Sequence, residues 1–180
     1  LKKLKNVGLD RITFGMEHGN EKFRREVVKR NYSNKTAIEL MKIPADLDII
    51  FTVNNIIGFP EETRELAFDT ININREFKSD NATCSILIPF AGTEIRQLAE
   101  SHGLIDPDYI CTVSNSSEEG ILDMPQWGKK EVAKLRNTFP MYVKFPKDRW
   151  PEIKKAEDDS ELFSKLSTEF VSTFWSKADE

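Results

Sequence analysis

Three times in the first hundred residues the spacing of apolar positions switches from every second residue to every third or fourth. Residues 11–16 alternate, with Ile12, Phe14 and Met16 on one side and Thr13 and Gly15 on the other, which predicts a β-strand. Gly19-Asn20 supplies a turn and an N-cap, so a charged helix is expected over residues 21–30. A short helix over 35–43 is expected to stop at Pro44, and a second strand over 49–57 to end at Gly58-Phe59-Pro60. The next helix spans 62–77, where Leu66, Thr70, Ile73 and Phe77 share one stripe that must pack on a sheet. A third strand over 82–88 leads into Pro89-Phe90-Ala91-Gly92, and Thr93 caps a helix that Gly103 terminates. Strand–helix alternation with connections this short is the signature of a parallel sheet, in a barrel or a doubly wound fold.

After Gly103 the pattern changes. Residues 104–128, with Ser114-Asn115-Ser116-Ser117 and several turn formers, read as a long surface excursion. Val132, Leu135 and Phe139 put a helix over 129–138, interrupted by Pro140. Leu162, Leu166, Phe170 and Phe174 recur at four-residue spacing, so 160–175 is an amphipathic helix. Such a stripe is expected to dock on the chain's own core in preference to a membrane or a partner. No internal repeat beyond the strand–helix alternation is present.

Composition narrows the class. The chain of 180 residues is one domain's worth, with 39% hydrophobic and 31% charged residues, so disorder over most of its length is excluded. A domain of this size buries roughly 70% of the surface its unfolded chain exposes, enough for a real core. Twenty-six basic against thirty acidic side chains give a net charge of −4, which implies no basic nucleic-acid face. No apolar run approaches the ~18 residues that would span a bilayer, and no signal peptide is visible, so a cytoplasmic location without a membrane partner is expected. Two cysteines, Cys84 and Cys111, make neither a disulfide framework nor a four-thiolate metal site. The sequence opens Leu1-Lys2-Lys3-Leu4 and enters a strand almost at once, as expected of a fragment of a longer protein.

The strands are more polar than a doubly covered parallel sheet allows. Thr13, Gly15 and Glu17 share a face of the first, Thr52 and Asn54 a face of the second with Asn55 opposite, and Thr83 and Ser85 a face of the third. A small or polar face repeated three times implies a sheet wrapped round a polar interior with helices outside, and strand-end sites in such barrels lie where Glu17, Asn54, Asn55 and the loop after Pro89 fall. Each candidate has a structural alternative. Glu17 suits the positive end of the following helix, Arg30 the negative end with Glu26 four residues earlier, and Asn54-Asn55 are ordinary hydrogen-bonded strand residues. Gly58-Phe59-Pro60-Glu61-Glu62-Thr63 reads equally as a close approach to a flat ligand or as a strand-to-helix turn whose two acids suit the helix start.

Three segments in order resemble one family. Gly8-Leu9-Asp10-Arg11-Ile12-Thr13-Phe14-Gly15-Met16-Glu17-His18-Gly19-Asn20-Glu21 with Lys29-Arg30 resembles the fourth-strand segment of radical S-adenosylmethionine (radical SAM) enzymes. Asn55-Ile56-Ile57-Gly58-Phe59-Pro60-Glu61-Glu62-Thr63 resembles their fifth-strand motif, and Ile88-Pro89-Phe90-Ala91-Gly92-Thr93-Glu94 their sixth strand and its exit. Leu122-Asp123-Met124-Pro125 onward is similar to the C-terminal extensions of the cobalamin-binding branch. The resemblance implies an α/β fold: the C-terminal half of a partial (βα)6 TIM-type barrel, three parallel βα units over residues 1–105, then a mainly helical extension over 106–180. It further implies that the Glu17 position bonds the ribose or methionyl end of S-adenosylmethionine. Arg30 would pair with the methionine carboxylate, Asn54 would reach the ribose, and Ile57 (through its backbone) and Gly58 would lie along the adenine.

The implied activity is that of a radical SAM enzyme: a 4Fe-4S cluster cleaves S-adenosylmethionine reductively, and the 5′-deoxyadenosyl radical takes hydrogen from a small-molecule substrate, with cobalamin-dependent methyl transfer as one outcome. The family's CxxxCxxC cluster motif is absent, as is the glycine-rich second-strand segment, so no metal ligand is assigned here and the chain alone is expected to be inactive without the missing N-terminal half. Cys84 and Cys111 read as a strand and a loop cysteine, and His18, where serine is common, as a neighbour of the cofactor site. Position 61 is glutamate where the family usually has glycine. Two rival readings remain: a methylthiotransferase-like radical enzyme acting on RNA, and a non-catalytic βα scaffold that binds a nucleotide or a partner.

Overall fold

The computed structural model describes residues 1–112 and 119–175. A short helix α1 (Lys2–Lys5) precedes β1 (Arg11–Glu17), α2 (Glu21–Glu26), α3 (Asn34–Asp46), β2 (Ile50–Ile57), α4 (Arg64–Arg75), β3 (Asn81–Ile86) and α5 (Glu94–Ser101). The rest is α6 (Lys129–Lys144), α7 (Trp150–Ala156) and α8 (Ser160–Phe170). The three strands form one parallel sheet in the order β1-β2-β3, with Arg11 beside Ile50, Gly15 beside Asn54, and Asn54 in turn beside Thr83. This is a partial βα barrel with a helical extension.

Alternation along the strands decides which side is covered. Met16, Phe51 and Val53 pack with Ala37, Ile73 and Phe77 beneath α3 and α4. Ile57, Ala82 and Ile86 join a larger cluster that continues through Ile71, Val132, Leu135, Phe139, Ile153, Leu166 and Phe170, so α6–α8 close the core begun by the sheet. On the opposite face Thr13, Gly15, Asn54, Thr83 and Ser85 are exposed. The stripe of α8 docks as expected: Leu166 and Phe170 are buried, and Leu162 and Phe174 pack against the same cluster.

Several boundaries differ from the sequence reading. The first charged helix ends at Glu26, with Val27 as its C-cap, and Lys29 turns the chain at φ +60°, so Arg30 lies beyond the helix in a loop. Strand β3 ends at Ile86, and α4 begins only at Arg64, capped by the Thr63 side chain on Leu66 N. Pro44 and Pro140 stop neither helix; α3 runs to Asp46 and α6 to Lys144. A mid-helix proline costs ~3 kcal/mol. In α6 the residues beyond it (Met141, Tyr142, Val143 and Phe145) are all buried, and the Arg75 guanidinium donates to the carbonyls of Tyr142, Val143 and Phe145 at 2.7–2.8 Å, capping the helix end. Nor is the 104–128 stretch a surface excursion throughout. Leu104, Ile105, Ile121, Leu122, Met124 and Trp127 are core residues, and Asp123 N bonds Leu104 O at 2.9 Å. Ser114-Asn115-Ser116-Ser117 lies outside the described residues.

The extension is pinned to α4 by a buried carboxylate. Glu157 accepts from Arg64 Nη2 at 2.6 Å, from Tyr142 Oη at 2.8 Å and from Lys154 Nζ at 2.7 Å. Burial, and then the adjacent Glu157 charge, push the Tyr142 hydroxyl well above its ordinary range. The native state therefore keeps a proton that the unfolded chain gives up near pH 10, so the tyrosine's contribution is complete below that pH and is lost as pH rises toward the native value. The stability advantage of wild type over Tyr142→Phe should shrink by about 1.4 kcal/mol per pH unit above pH ~10; parallel urea-unfolding profiles of the two proteins between pH 8 and 11.5 would refute it.

Candidate active site at the strand ends

The exit of β1 is shaped by one strained residue and one absent side chain. The register with β2 slips between Gly15 and Glu17, and Glu17 adopts φ +64°, a left-handed conformation that is uncommon outside glycine. This turn folds the carboxylate back over its own strand. A Cβ built on Gly15 would stand 2.5 Å from Glu17 Oε1, so only glycine leaves the carboxylate its place. Arg30 meets it there: its Nη2 lies 3.1 Å from Glu17 Oε1, with Glu17 mostly covered and Arg30 half exposed. Glu26 pairs with Arg25 and not with Arg30, and Asn20 is the residue whose side chain caps α2.

Asn54 sits next to Gly15 on the same open face and accepts a hydrogen bond from the Thr83 hydroxyl at 2.7 Å. The row Gly15–Asn54–Thr83, with Glu17 and Arg30 over its start, therefore offers a carboxylate, a guanidinium, an amide and a hydroxyl to one side of the sheet. Asn55 points the other way. It is buried and exchanges bonds with Asn74 of α4 at 2.8 and 3.2 Å, as a structural strand residue does. The Ile57 side chain is wholly buried among the core residues, leaving only its backbone toward the rim, and its carbonyl accepts from Leu87 N at 2.8 Å. Gly58 follows at φ +83°, and a Cβ there would crowd Val132 Cγ1 at 3.2 Å.

The two acids after Pro60 have opposite fates. Glu61 is exposed, lies 3.5 Å from His102 Nδ1, and holds φ +65°, which accounts physically for the glycine usual at this position. Glu62 is fully buried and accepts from Gly58 N, Phe59 N and the His18 ring. Nothing in the sequence singles out Arg24. Completely buried, it donates to His18 O at 2.7 Å, to Asn34 Oδ1 at 2.9 Å and to Tyr32 O, and so seats the loops that carry Glu17 and Arg30. No local pattern distinguishes Arg24 from the exposed Arg25 beside it, except that only Arg24 adjoins the apolar Phe23 on the inward side of α2.

Neither cysteine joins this face. Cys84 lies on the helix-covered side of β3 with its thiol pushed up, first by burial and then by the Glu62 charge, and Cys111 sits 3.5 Å from Arg96 Nη1 and 3.4 Å from Pro89 O. Among the described residues no group of three His, Cys, Asp or Glu side chains could hold a metal ion, and no helix is long and apolar enough to cross a membrane.

A parallel βα sheet that is open on one polar face, with charged side chains gathered at its carboxyl strand ends, is the arrangement of a βα-barrel enzyme site. Comparison with known proteins points the same way: residues 1–72, two fifths of the chain, match the radical SAM superfamily model. The chain is 30% identical over 95 residues to the tRNA-2-methylthio-N(6)-dimethylallyladenosine synthase of Halalkalibacterium halodurans, a match that covers 52% of this chain and 18% of that protein. It is 27% identical over 104 residues to an uncharacterized methyltransferase of Pyrococcus horikoshii, covering 58% of this chain and 22% of that protein. The chain thus spans about a fifth of the length of these curated relatives.

Proposed function

We propose that the open face of the sheet binds S-adenosylmethionine within a radical SAM enzyme. The observation that carries this reading is the Glu17–Arg30 pair held at 3.1 Å over Gly15, a matched anion and cation at the rim of an otherwise uncharged polar row. Such a pair suits a zwitterionic amino-acid end. Arg30 takes the methionine carboxylate through charge-assisted bonds, and Glu17 takes the ribose hydroxyls or the methionyl end. Asn54, one row deeper, reaches the ribose. The Ile57 backbone and that of Gly58 lie along the adenine. These residues orient the cofactor and exclude water from it; they perform no proton transfer themselves.

The iron–sulfur cluster does not fit this chain's residues. Its two thiols lie apart, one on the covered side of the sheet and one in a loop, which supports the reading that the 4Fe-4S ligands come from another part of the protein and that the 180 residues alone are inactive. Bound in the whole protein, the two groups would supply radical chemistry toward a small-molecule substrate, with this chain's rim residues holding the adenosyl end. A missing N-terminal half fits the outer edge of β1. That edge carries no strand partner among the described residues, and beside it an apolar cleft of about 230 Å³ is lined by Phe14, Met16, Tyr32, Ala37, Leu40 and Met41. The cytoplasm is the compartment proposed.

One relative is named as the synthase of a 2-methylthio nucleoside in tRNA and the other as a methyltransferase, which favours methyl or methylthio transfer as the outcome. The methylthio reading, with RNA as substrate, is favoured by the first relative's name, while the charge of −4 leaves the basic surface to a part of the protein outside these residues. The cobalamin-dependent outcome rests on the resemblance of Leu122-Asp123-Met124-Pro125 alone. The test is anaerobic reconstitution of the full-length protein with iron and sulfide. Formation of 5′-deoxyadenosine from S-adenosylmethionine and a reductant is expected; its absence with a fully assembled cluster would overturn the reading.

A further inference from the structure

Glu17 and Asn55 are the last paired residues of β1 and β2, so the ladder itself does not hold the two strand exits together beyond that point. A buried side-chain pair does. His18 Nε2 lies 3.1 Å from Glu62 Oε1, and both side chains are wholly inaccessible. The other carboxylate oxygen, Glu62 Oε2, accepts from Gly58 N at 2.6 Å and Phe59 N at 2.9 Å. On the far side of the ring, His18 Nδ1 accepts from Asn20 N at 3.1 Å, which leaves Nε2 carrying the proton that faces Glu62. Aromatic rings flank the contact: the centre of the imidazole lies 4.5 Å from the Phe23 ring centre and 6.2 Å from that of Phe59. Each residue is also gripped through its carbonyl, His18 by Arg24 Nη1 at 2.7 Å and Glu62 by Gln126 Nε2 at 2.9 Å.

The residues this pair joins are the immediate neighbours of the two ligand-facing positions. His18 follows Glu17, whose left-handed backbone needs an anchor, and the two amides bonded by Glu62 belong to Gly58 and Phe59, directly after Ile57. We propose that His18 and Glu62 are positioning residues that set the spacing between the Glu17 carboxylate and the Gly58 backbone, so that one adenosyl ligand is held from both strand exits at once. The assignment rests on the reading of the rim given above. Neither side chain reaches the open face, so neither is a catalytic residue. Glu62→Gln is the sharpest probe, because it keeps the volume but sets an amide N–H against the imidazole N–H, or against the backbone amides if the side chain turns over.

The experiment compares full-length wild type with Glu62→Gln, His18→Leu and a control, Leu166→Ala, which opens the core beneath α8 in the helical extension. Thermal midpoints, amide hydrogen exchange at Gly58 and Phe59, and affinity for S-adenosylhomocysteine are measured for all four. Both rim variants should exchange those two amides at least about tenfold faster and bind the ligand at least about tenfold more weakly. The control should keep wild-type affinity even where its midpoint falls as far as theirs. Wild-type binding with unaltered affinity or exchange in the rim variants, or an equal affinity loss in the control, overturns the role of the pair. A wild type that binds no S-adenosylhomocysteine instead sinks the rim assignment, and this role with it.

Discussion

Replacing Gly19 by alanine should cost the protein at least about 4 kcal/mol, enough to lower the thermal midpoint by roughly 8–16 °C or to abolish folding. A Cβ at this position would lie 2.2 Å from Asp69 O, 2.4 Å from Asp69 C and 2.5 Å from Thr70 Cα. All three are atoms of the α4 backbone, which cannot swing aside as a side chain would. The loop after β1 is seated on that helix by short bonds on both sides of the glycine: Gly19 N to Thr70 Oγ1 at 2.8 Å, Asn34 Nδ2 to Gly19 O at 2.8 Å, and Asn20 Nδ2 to Asp69 Oδ2 at 2.8 Å. Relief of the clash lifts the whole loop and breaks these bonds inside a region where Gly19 and Thr70 have no water to replace them. Thr70→Val, which keeps the shape and removes only the acceptor, is the comparison: it should cost about 1–3 kcal/mol, the penalty for one orphaned buried amide. Chemical denaturation of both variants checks this, and a Gly19→Ala protein within 1 kcal/mol of wild type would mean that the loop is not packed on α4 as described.

Much of this fold is legible in sequence because the signals are local. The three strands alternate cleanly, and glycine and proline punctuate their ends, so their order and parallel sense follow from the lengths of the connections. Errors arise where distant residues override a local preference. Pro140 would end an isolated helix, yet the buried residues after it and the Arg75 cap carry α6 onward. Leu104, Ile105, Ile121 and Leu122 are hidden among turn formers, and only the core they cover explains them. At the site, local chemistry cannot separate Glu61 from Glu62, two adjacent acids at a helix start; what separates them is His18, forty-four positions away from Glu62. Resemblance alone puts Arg30 at the rim. Its route there depends on the left-handed turn at Lys29 and on the missing side chain of Gly15, and neither Lys29 nor Glu17 is a residue type that announces a positive φ.

Glu17→Ala and Arg30→Ala should each weaken S-adenosylmethionine binding by the full-length protein, with the larger loss, about 10- to 100-fold, in the arginine variant. The asymmetry follows from the free-state geometry. At 3.1 Å the two side chains neutralise one another, so binding exchanges their mutual contact for contacts to the ligand's own charges. Without Glu17 the guanidinium is still there for the methionine carboxylate. Without Arg30 the Glu17 carboxylate stands uncompensated where an anionic group must dock, and like-charge repulsion adds to the lost bond. The double variant should therefore bind no worse than Arg30→Ala alone, a non-additivity that independent contacts would not produce. Folding is a separate matter. With Arg30 half exposed, the pair is worth at most about 1 kcal/mol to stability, so thermal midpoints should scarcely move and the cluster's visible absorbance should stay at its wild-type level. Titration calorimetry on the three variants decides the question: unchanged affinity in both single variants would take the cofactor away from this rim, and additive losses would mean that the two residues hold different ligand groups without opposing one another.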